Sequence, residues 1–224
     1  MISAQPLIDW PRVADQRGEI WEQFVEHVTL TLIAVVIGLA ISLPLAVYAY
    51  RHQWSYTPIT AVTGILYTIP SVALFAFLLP YTGLTGYTTA EIGLVSYTLL
   101  ILIRNITAGL AGVPADAKEA AYGLGYSRRQ MLWRVELPLA LPVIMTGIRL
   151  ATVTTIGLVT VTAIIGKGGL GRFILEGLNN FDTTLSFVGA LLSLALAVVT
   201  DLLLVRVERL VTPWADRSAP TRTV

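Results

Sequence analysis

The sequence predicts an all-α membrane protein with five transmembrane helices, and three observations support this prediction. Of its 224 residues, 55% are hydrophobic and only 13% are charged, whereas soluble domains are about a quarter charged. Apolar stretches long enough to cross ~30 Å of hydrocarbon recur along the chain. A charged segment that interrupts them keeps helical periodicity. A net charge of +1 gives no reason to expect nucleic-acid binding.

The five spans are predicted at residues 28–50, 58–79, 92–110, 139–165 and 187–207. Pro80 and a turn at Gly83 and Gly86 close the second span, and Pro138 and Pro142 disturb the start of the fourth. Residues 1–27 form an N-terminal segment without the basic start and apolar core of a signal peptide. Within it, residues 19–27 are equally well interpreted as an amphipathic surface helix or as a lead-in to the first span.

The orientation follows from the basic residues, which concentrate on the cytoplasmic side of membrane proteins. One set of connecting segments carries Arg51, Lys118, Arg128, Arg129, Arg134, Arg206, Arg209, Arg217 and Arg222. The opposite set carries only Arg12, Arg17, Lys167 and Arg172. We therefore predict the N-terminus outside, the membrane domain at residues 28–210, and a cytoplasmic tail at residues 211–224.

The segment at residues 114–138 is predicted to form two short helices joined by a sharp turn on the cytoplasmic side. Pro114 suits the first position of a helix, and Gly125 is placed to end it with positive φ. Ser127 and Gln130 have capping-box spacing for the second helix, which Leu137-Pro138 would end. One narrow apolar face is formed by Ala117, Ala120, Ala121 and Leu124. This segment is either a plain connection at the lipid headgroups or a protein-docking knob.

The same segment, EAAYGLGYSRRQMLWRVELP, resembles the EAA signature of ATP-binding-cassette (ABC) importer permeases. The positions that carry the resemblance are Glu119, Ala120, Ala121, Gly125, Val135, Leu137 and Pro138. Val135 stands where isoleucine is usual. The stretches ILYTIPSVALFAFLLPYTGL, LIRNITAGLAGV, WRVELPLALPVIMTGIRLATV and IIGKGGLGRFILEGL extend the resemblance to the osmoprotectant branch, which imports glycine betaine, choline, carnitine and related quaternary amines.

The resemblance implies a type I importer permease (MetI-like) fold and a non-catalytic role in a bacterial or archaeal plasma membrane. It implies that a separate cytoplasmic ATPase binds ATP and Mg²⁺ and docks on the Glu119 segment. An external substrate-binding protein and a second permease, identical or paralogous, would complete the transporter among membrane lipids. The chain itself has no phosphate-binding loop, no cysteine and no catalytic or metal-ligand grouping.

Polar residues within the spans are further candidates, because intramembrane charges are costly and usually face protein or water. Arg104, Asn105, Arg149 and Asp201 form this set of gate or structural candidates. Arg104 is expected to reach the cytoplasmic surface. Asp201 is expected to pair with Arg149 or Arg104 in a structural ion pair near an inner gate.

Two other groups are candidates for contact with solute or partner. Tyr67, Phe75, Phe77 and Tyr97 are either packing residues or a cation–π path for a quaternary ammonium. Gly166, Lys167, Gly168, Gly169 and Gly171 form an outer turn that either docks the binding protein or makes a tight connection. Lys167 departs from the small residue expected there.

The competing functions are another ABC permease, for methionine or sulfonates, and a secondary transporter that works alone. A secondary transporter would predict acidic residues near the bilayer centre and an inverted repeat. Asp201 is the only such acidic residue in the predicted spans, and no repeat is apparent. The sequence therefore favours the importer.

Overall fold

The computed structural model describes residues 8–82 and 86–215, and this part of the chain is helical. Gly83, Arg217 and Arg222, and most of the predicted tail, lie outside the described residues. The helices are α1 Trp10–Asp15, α2 Arg17–Arg51, α3 Gln53–Thr68, α4 Ser71–Thr82, α5 Gly86–Ala111, α6 Ala115–Gly123, α7 Arg128–Met131, α8 Leu137–Val161, α9 Gly171–Asn179 and α10 Thr183–Val211. A π-helical turn, Leu132–Glu136, precedes α8, and a 3₁₀ turn, Thr162–Ile165, follows it.

Four stretches of helix in the described chain are long and apolar enough to cross a membrane, and a bent pair makes a fifth. They are α2, α5, the run from α7 through α8, and α10; the pair is α3 with α4. The predicted five-span architecture is therefore confirmed. We call the end of the bundle that carries α6 and α7 the inner end, and the opposite end the outer end, after the predicted orientation.

The second span is not one continuous helix, as predicted for residues 58–79. It breaks after Thr68, and α3 and α4 meet at 96°. Ile69 is extended, with φ −64° and ψ 128°. Pro70 accounts for this break, because a proline disfavours helical geometry in the residue before it and has no N–H to donate.

Other boundaries also differ from the predicted ones. The first span begins at Arg17 rather than at residue 28, so residues 19–27 are the first turns of α2. The third begins at Gly86, and the fourth joins α7 through the π turn, so Leu137-Pro138 ends no helix. Pro138 lacks an N–H, and the wider π turn lets the chain pass that position without a break.

The core lies where α2, α5 and α8 pack together. Its inner part includes Leu102, Ile106 and Ala151, all fully buried. A Cβ at Gly38 would overlap Thr98, and one at Gly147 would overlap Asn105. Small residues thus let α5 approach α2 on one side and α8 on the other. Such close contacts are usual in membranes, where no hydrophobic force drives helices together and association depends on packing.

At the outer end, α9 packs against α10 around Leu170, Phe173 and Leu185. The rest of α10 is far less covered, and only 17% of the residues in its most apolar stretch are buried within one chain. A membrane helix of this composition is satisfied by lipid or by another protein. The fold therefore presents α10 as an open side of the bundle.

Candidate functional site

The inner end carries a protruding helix–turn–helix, which begins with α6. Pro114 was predicted at the first helical position, but it is the residue that caps α6, because its ψ of 139° is not helical. Gly125 has φ 79°, as predicted. The Tyr126 N–H donates to the Ala121 carbonyl at 3.1 Å and the Gly125 N–H to that of Tyr122 at 2.9 Å. These two bonds are the Schellman motif, which a left-handed glycine allows.

The second half of the knob starts at Ser127. Its N–H donates to Gln130 Oε1 at 2.8 Å, and its hydroxyl accepts from the Gln130 N–H at 3.4 Å. This is the predicted capping box. We call residues 114–138 the knob from here on.

A polar network ties the knob to the end of α2. Glu136 is 6% exposed and accepts from Tyr50 Oη at 3.1 Å and Arg51 Nη2 at 3.5 Å. Lys118 Nζ donates to the same Tyr50 hydroxyl at 3.1 Å. Arg51 also donates to the Arg128 carbonyl at 3.1 Å. The two short helices are therefore fastened to the bundle by side-chain hydrogen bonds as well as through the chain.

The predicted apolar face of α6 is divided between the bundle and the surface. Ala121 is buried and Ala117 half-buried, whereas Ala120 and Glu119 are exposed. Leu124 is 76% exposed. Leu124 lies at the tip of the turn, where no part of the described chain can cover it. The knob thus presents an apolar tip beside the small Ala120, a shape suited to insertion into a groove. Val135 and Leu137 lie behind it, half-buried.

Arg149 bridges α8 and α10 at membrane depth. Its Nε and Nη2 donate to the two Asp201 oxygens at 2.9 and 3.1 Å, and its Nη1 donates to Glu208 Oε2 at 3.2 Å. Of the two predicted partners of Asp201, Arg149 is therefore the one that pairs with it, and Glu208 is a second acceptor for the same guanidinium. Arg104 lies exposed and enters no ion pair within the described residues, and Asn105 donates to the Ile101 carbonyl at 2.8 Å. A role at a gate stays a prediction.

The aromatic candidates do not converge on one path. Tyr67 meets Tyr97 edge to face, with ring centroids 5.9 Å apart, and the Tyr97 hydroxyl donates to the Ile69 carbonyl at the helix break. Phe75 is 1% exposed in the core, so it lines no open surface. Phe77 is exposed beside Tyr81. Of the four candidates, Tyr67 and Tyr97 are therefore the two whose rings contact each other, and they do so at the break in the second span.

The outer turn has a structural reason for most of its glycines. Gly168, Gly169 and Gly171 are buried, and a Cβ on each would overlap neighbouring backbone or side-chain atoms. The Gly168 N–H donates to Glu26 Oε1 at 3.2 Å. Gly166 is exposed, and Lys167 places its Nζ 5.0 Å from the centre of the Tyr87 ring. Of the five predicted docking residues, only Gly166 and Lys167 are therefore accessible at the surface.

Ion pairs hold the segments around that turn. Arg172 pairs with Glu19 at 3.5 Å, and Arg12 pairs with Asp182, the cap of α10. Partial burial raises the pKa of the Asp182 carboxyl. The Leu185 N–H and the Arg12 guanidinium outweigh that effect and hold the pKa below its usual value.

Three carboxylates lie in settings that the sequence did not predict. The predicted third span begins at residue 92, but α5 starts at Gly86, so Glu91 lies within it. Both Glu91 oxygens are shielded and have no hydrogen-bond partner among the described residues. Glu208 and Glu136 were assigned no partner. The spanning helices thus carry acidic residues besides Asp201, but Glu91 and Glu208 lie near helix ends, so Asp201 stays the candidate near the bilayer centre. The signal for Glu208 was its spacing of seven residues from Asp201, which puts both on one helix face.

The described residues contain no catalytic or metal-ligand cluster. They form a membrane bundle with an exposed knob whose shape suits contact with another protein. Residues 28–213 match the family described as binding-protein-dependent transport system inner membrane component. The chain belongs to this family of ABC importer permeases. It is a non-catalytic, multi-pass inner-membrane component, as predicted.

Curated relatives of this permease share most of its length. It is 38% identical to the osmoprotectant import permease protein OsmW of Salmonella typhimurium, over 91% of this chain and 96% of the relative. It is also 38% identical to the choline transport system permease protein OpuBB of Bacillus subtilis, over 88% and 90%. A carnitine transport permease protein, OpuCD of Listeria monocytogenes, is 33% identical over 98% of both chains.

Among solved structures, the permease resembles an inward-facing conformation of the MetNI methionine ABC transporter. The TM-score is 0.80 at 21% identity, with 88% of this chain and 98% of that chain covered. At this identity the likeness shows the fold alone. The predicted MetI-like fold is thereby confirmed.

Proposed function

We propose that this permease forms the membrane path of an importer for osmoprotectants of the quaternary amine class. The observation that carries the proposal is the 38% identity to an osmoprotectant import permease over 91% of this chain. Relatives that transport choline and carnitine match at similar identity and coverage. Glycine betaine, choline and carnitine share a methylated ammonium group, which defines the proposed substrate class.

The proposed mechanism is alternating access driven from outside the chain. A cytoplasmic ATPase binds ATP and Mg²⁺, and the knob inserts its exposed tip, with Leu124 and Ala120, into a groove on that subunit. Closure of the ATPase pulls the knob, and the network at Glu136 passes the movement to α2. A second permease, identical or paralogous, faces this one across the path, and an external binding protein delivers the solute at the outer end.

Uptake of radiolabelled glycine betaine in high salt tests both the solute and the coupling. Cells that lack the gene receive the native chain, a Gly125→Pro variant or a Gly123→Ala control. Proline requires φ near −65° and does not fit the left-handed turn, whereas a Cβ at Gly123 meets open space. We expect uptake with the native chain and Gly123→Ala and a loss of at least about tenfold with Gly125→Pro.

The alternatives give different results. Uptake with all three chains would keep the solute class and reject the role of the turn at Gly125. No uptake of glycine betaine with any chain, at normal membrane levels and with the partner subunits present, would reject glycine betaine as the solute. If radiolabelled choline were not taken up either, the quaternary amines would be rejected in favour of another small solute.

A further inference from the structure

A charge cluster between α8 and α10 carries more negative than positive charge. Arg149 binds both oxygens of Asp201 and one oxygen of Glu208. One guanidinium therefore faces two carboxylates, and the cluster has a net charge of −1. We call Arg149, Asp201 and Glu208 the triad. Two other cations on α10, Arg206 and Arg209, project about 140° and 80° around the helix from Asp201.

The triad is not sealed inside the chain. The side chains of Arg149, Asp201 and Glu208 are 28%, 36% and 22% exposed. Asp201 lies about 15 Å along α10 from its end at Val211, and Arg149 about 18 Å along α8 from its start at Leu137. At the depth of Asp201 and Arg149, partly exposed charges are too costly to face hydrocarbon, so they face water or another protein. Glu208 lies about 4.5 Å from the same end of α10, near the inner surface.

The structure also indicates which side of α10 the triad faces. On one side, α2, α8 and α10 border an apolar cleft of about 310 Å³, which suits lipid. On the other side, α8 and α10 alone border a cleft of about 270 Å³ in which Asp201 is the one charged residue among Val153, Leu194, Ala197, Val198 and Leu202. No other helix of the described chain lines this second cleft.

A methylated ammonium ion needs two things from a binding surface: an apolar wall for its methyl groups and negative charge within a few ångströms. The second cleft and the triad together offer both. A cationic amine such as choline gains from the net charge. A zwitterion such as glycine betaine gains less, because its own carboxylate is repelled.

We infer that the triad lines the inner half of the solute path and that its net negative charge favours cationic over zwitterionic quaternary amines. The inference rests on the proposed function. It adds Glu208 as a specificity-determining residue, since Asp201 is already neutralised by the bidentate contact with Arg149. Two permeases would bring two triads to one path.

The first test measures water access and local charge, and it does not depend on transport. The chain has no cysteine, so single cysteines report cleanly. Val205→Cys lies between Asp201 and Glu208 on the triad face, and Leu203→Cys lies about 200° around the helix from Asp201. The full transporter, in lipid nanodiscs, is treated with a quaternary ammonium methanethiosulfonate and with its sulfonate counterpart.

We expect Val205→Cys to react at least about tenfold faster than the control Leu203→Cys, and faster with the cationic reagent than with the anionic one after correction for a free thiol. Adding Glu208→Gln should lower that cation preference about fivefold. Equal, slow reaction at both positions would overturn the placement in the path. A preference that Glu208→Gln leaves unchanged would overturn the role of Glu208.

The second test is uptake of choline and of glycine betaine with one binding protein, in the native chain, in Glu208→Gln and in the exposed-carboxylate control Glu22→Gln. We expect Glu208→Gln alone to lower choline uptake relative to glycine betaine, by about fivefold. Equal loss of both solutes, or native uptake of glycine betaine without choline, would overturn the specificity. If the native chain takes up neither solute, the proposed solute class fails, while the thiol reaction still decides where the triad lies.

Discussion

The two ends of the bundle use glycine in opposite ways. At the outer end, Gly168, Gly169 and Gly171 are buried, and a Cβ on any of them would overlap α2, the end of α8 or the 3₁₀ turn that follows it. At the inner end, Gly125 is surrounded by open space and is needed only for its backbone, at φ 79°. One turn is thus closed by packing, and the other is shaped by conformation.

The outer turn and the knob are also held to the bundle by different kinds of contact. The outer turn is covered by neighbouring helices, whereas the knob is held by hydrogen bonds around Glu136, Tyr50 and Arg51. A packed contact changes little without a large cost, because protein interiors are close to crystalline density. Although Glu136 is buried, its donors Tyr50 and Arg51 are half-buried and exposed, so water can replace them at the network's edge at small net cost. The inner end is therefore the better built for movement and the outer end for a fixed shape.

The largest expected effect comes from breaking the packed end. Gly171→Ala would drive a methyl group into the backbone of Thr160, and we expect a loss of about 3 kcal/mol in stability, typical of a severe overpacking. Thermal unfolding in detergent measures it. Gly64→Ala, which meets open space on α3, is the matched control, and an unchanged midpoint for Gly171→Ala would contradict the packing argument.

The next effect comes from detaching the knob. Glu136→Ala removes the acceptor for Tyr50 and Arg51, and we expect the knob to lose about 2 kcal/mol of local stability. Trypsin then cuts faster at Arg128 and Arg129, while the global unfolding midpoint moves less. Glu119→Ala removes an exposed carboxylate from the same knob and should leave the cleavage rate unchanged. Equal cleavage of both variants would argue against the network.

A smaller effect is expected at the inner turn itself. Gly125→Ala keeps the turn at a cost of about 1 kcal/mol for a left-handed residue, and Gly125→Asn costs less because asparagine tolerates that region. Solute uptake at equal membrane level should fall in the order glycine, asparagine, alanine. The same level of uptake for all three would mean that the turn geometry does not limit coupling.

The smallest effect depends on pH at the outer end. Because the pKa of Asp182 is lowered in the folded protein, its ionised form stabilises the fold above the unfolded pKa of about 3.9. That stability is lost as the pH falls through the lower, folded value. Asp182→Asn keeps the helix cap but not the Arg12 pair. The difference in unfolding midpoint between it and the native chain should stay constant from pH 7 to pH 5 and shrink below about pH 4.

Local chemistry made much of the inner end predictable. A glycine after a short helix with one apolar face, followed by Ser127 and Gln130, has one common solution, the left-handed turn and the capping box, and both are present. Apolar length likewise predicted the number of spans. The expectation that Asp201 pairs with Arg149 or Arg104 followed from the cost of leaving such a charge alone in a membrane, and the structure shows the pair with Arg149.

What the sequence did not predict depends on contacts between distant residues or on subtle backbone choices. Glu136 finds Tyr50 and Arg51 only because α2 ends beside the π turn. Pro70 explains why the second span breaks, but the 96° angle depends on how α4 packs against α5. The neighbouring helices decide that Ala121 is buried while Ala120, about 100° around α6, is exposed.

The helix α2 joins the outer turn to the knob at the inner end. α2 runs for 35 residues, about 52 Å. Near its start it contacts the outer turn through Glu26, and at its finish it holds the knob through Tyr50 and Arg51. Because α2 packs tightly against α5 and α8, a push at one surface would move these helices together and displace the other surface. A force applied by a partner on the inner side therefore has a direct mechanical linkage, one helix long, to the place where solute would enter.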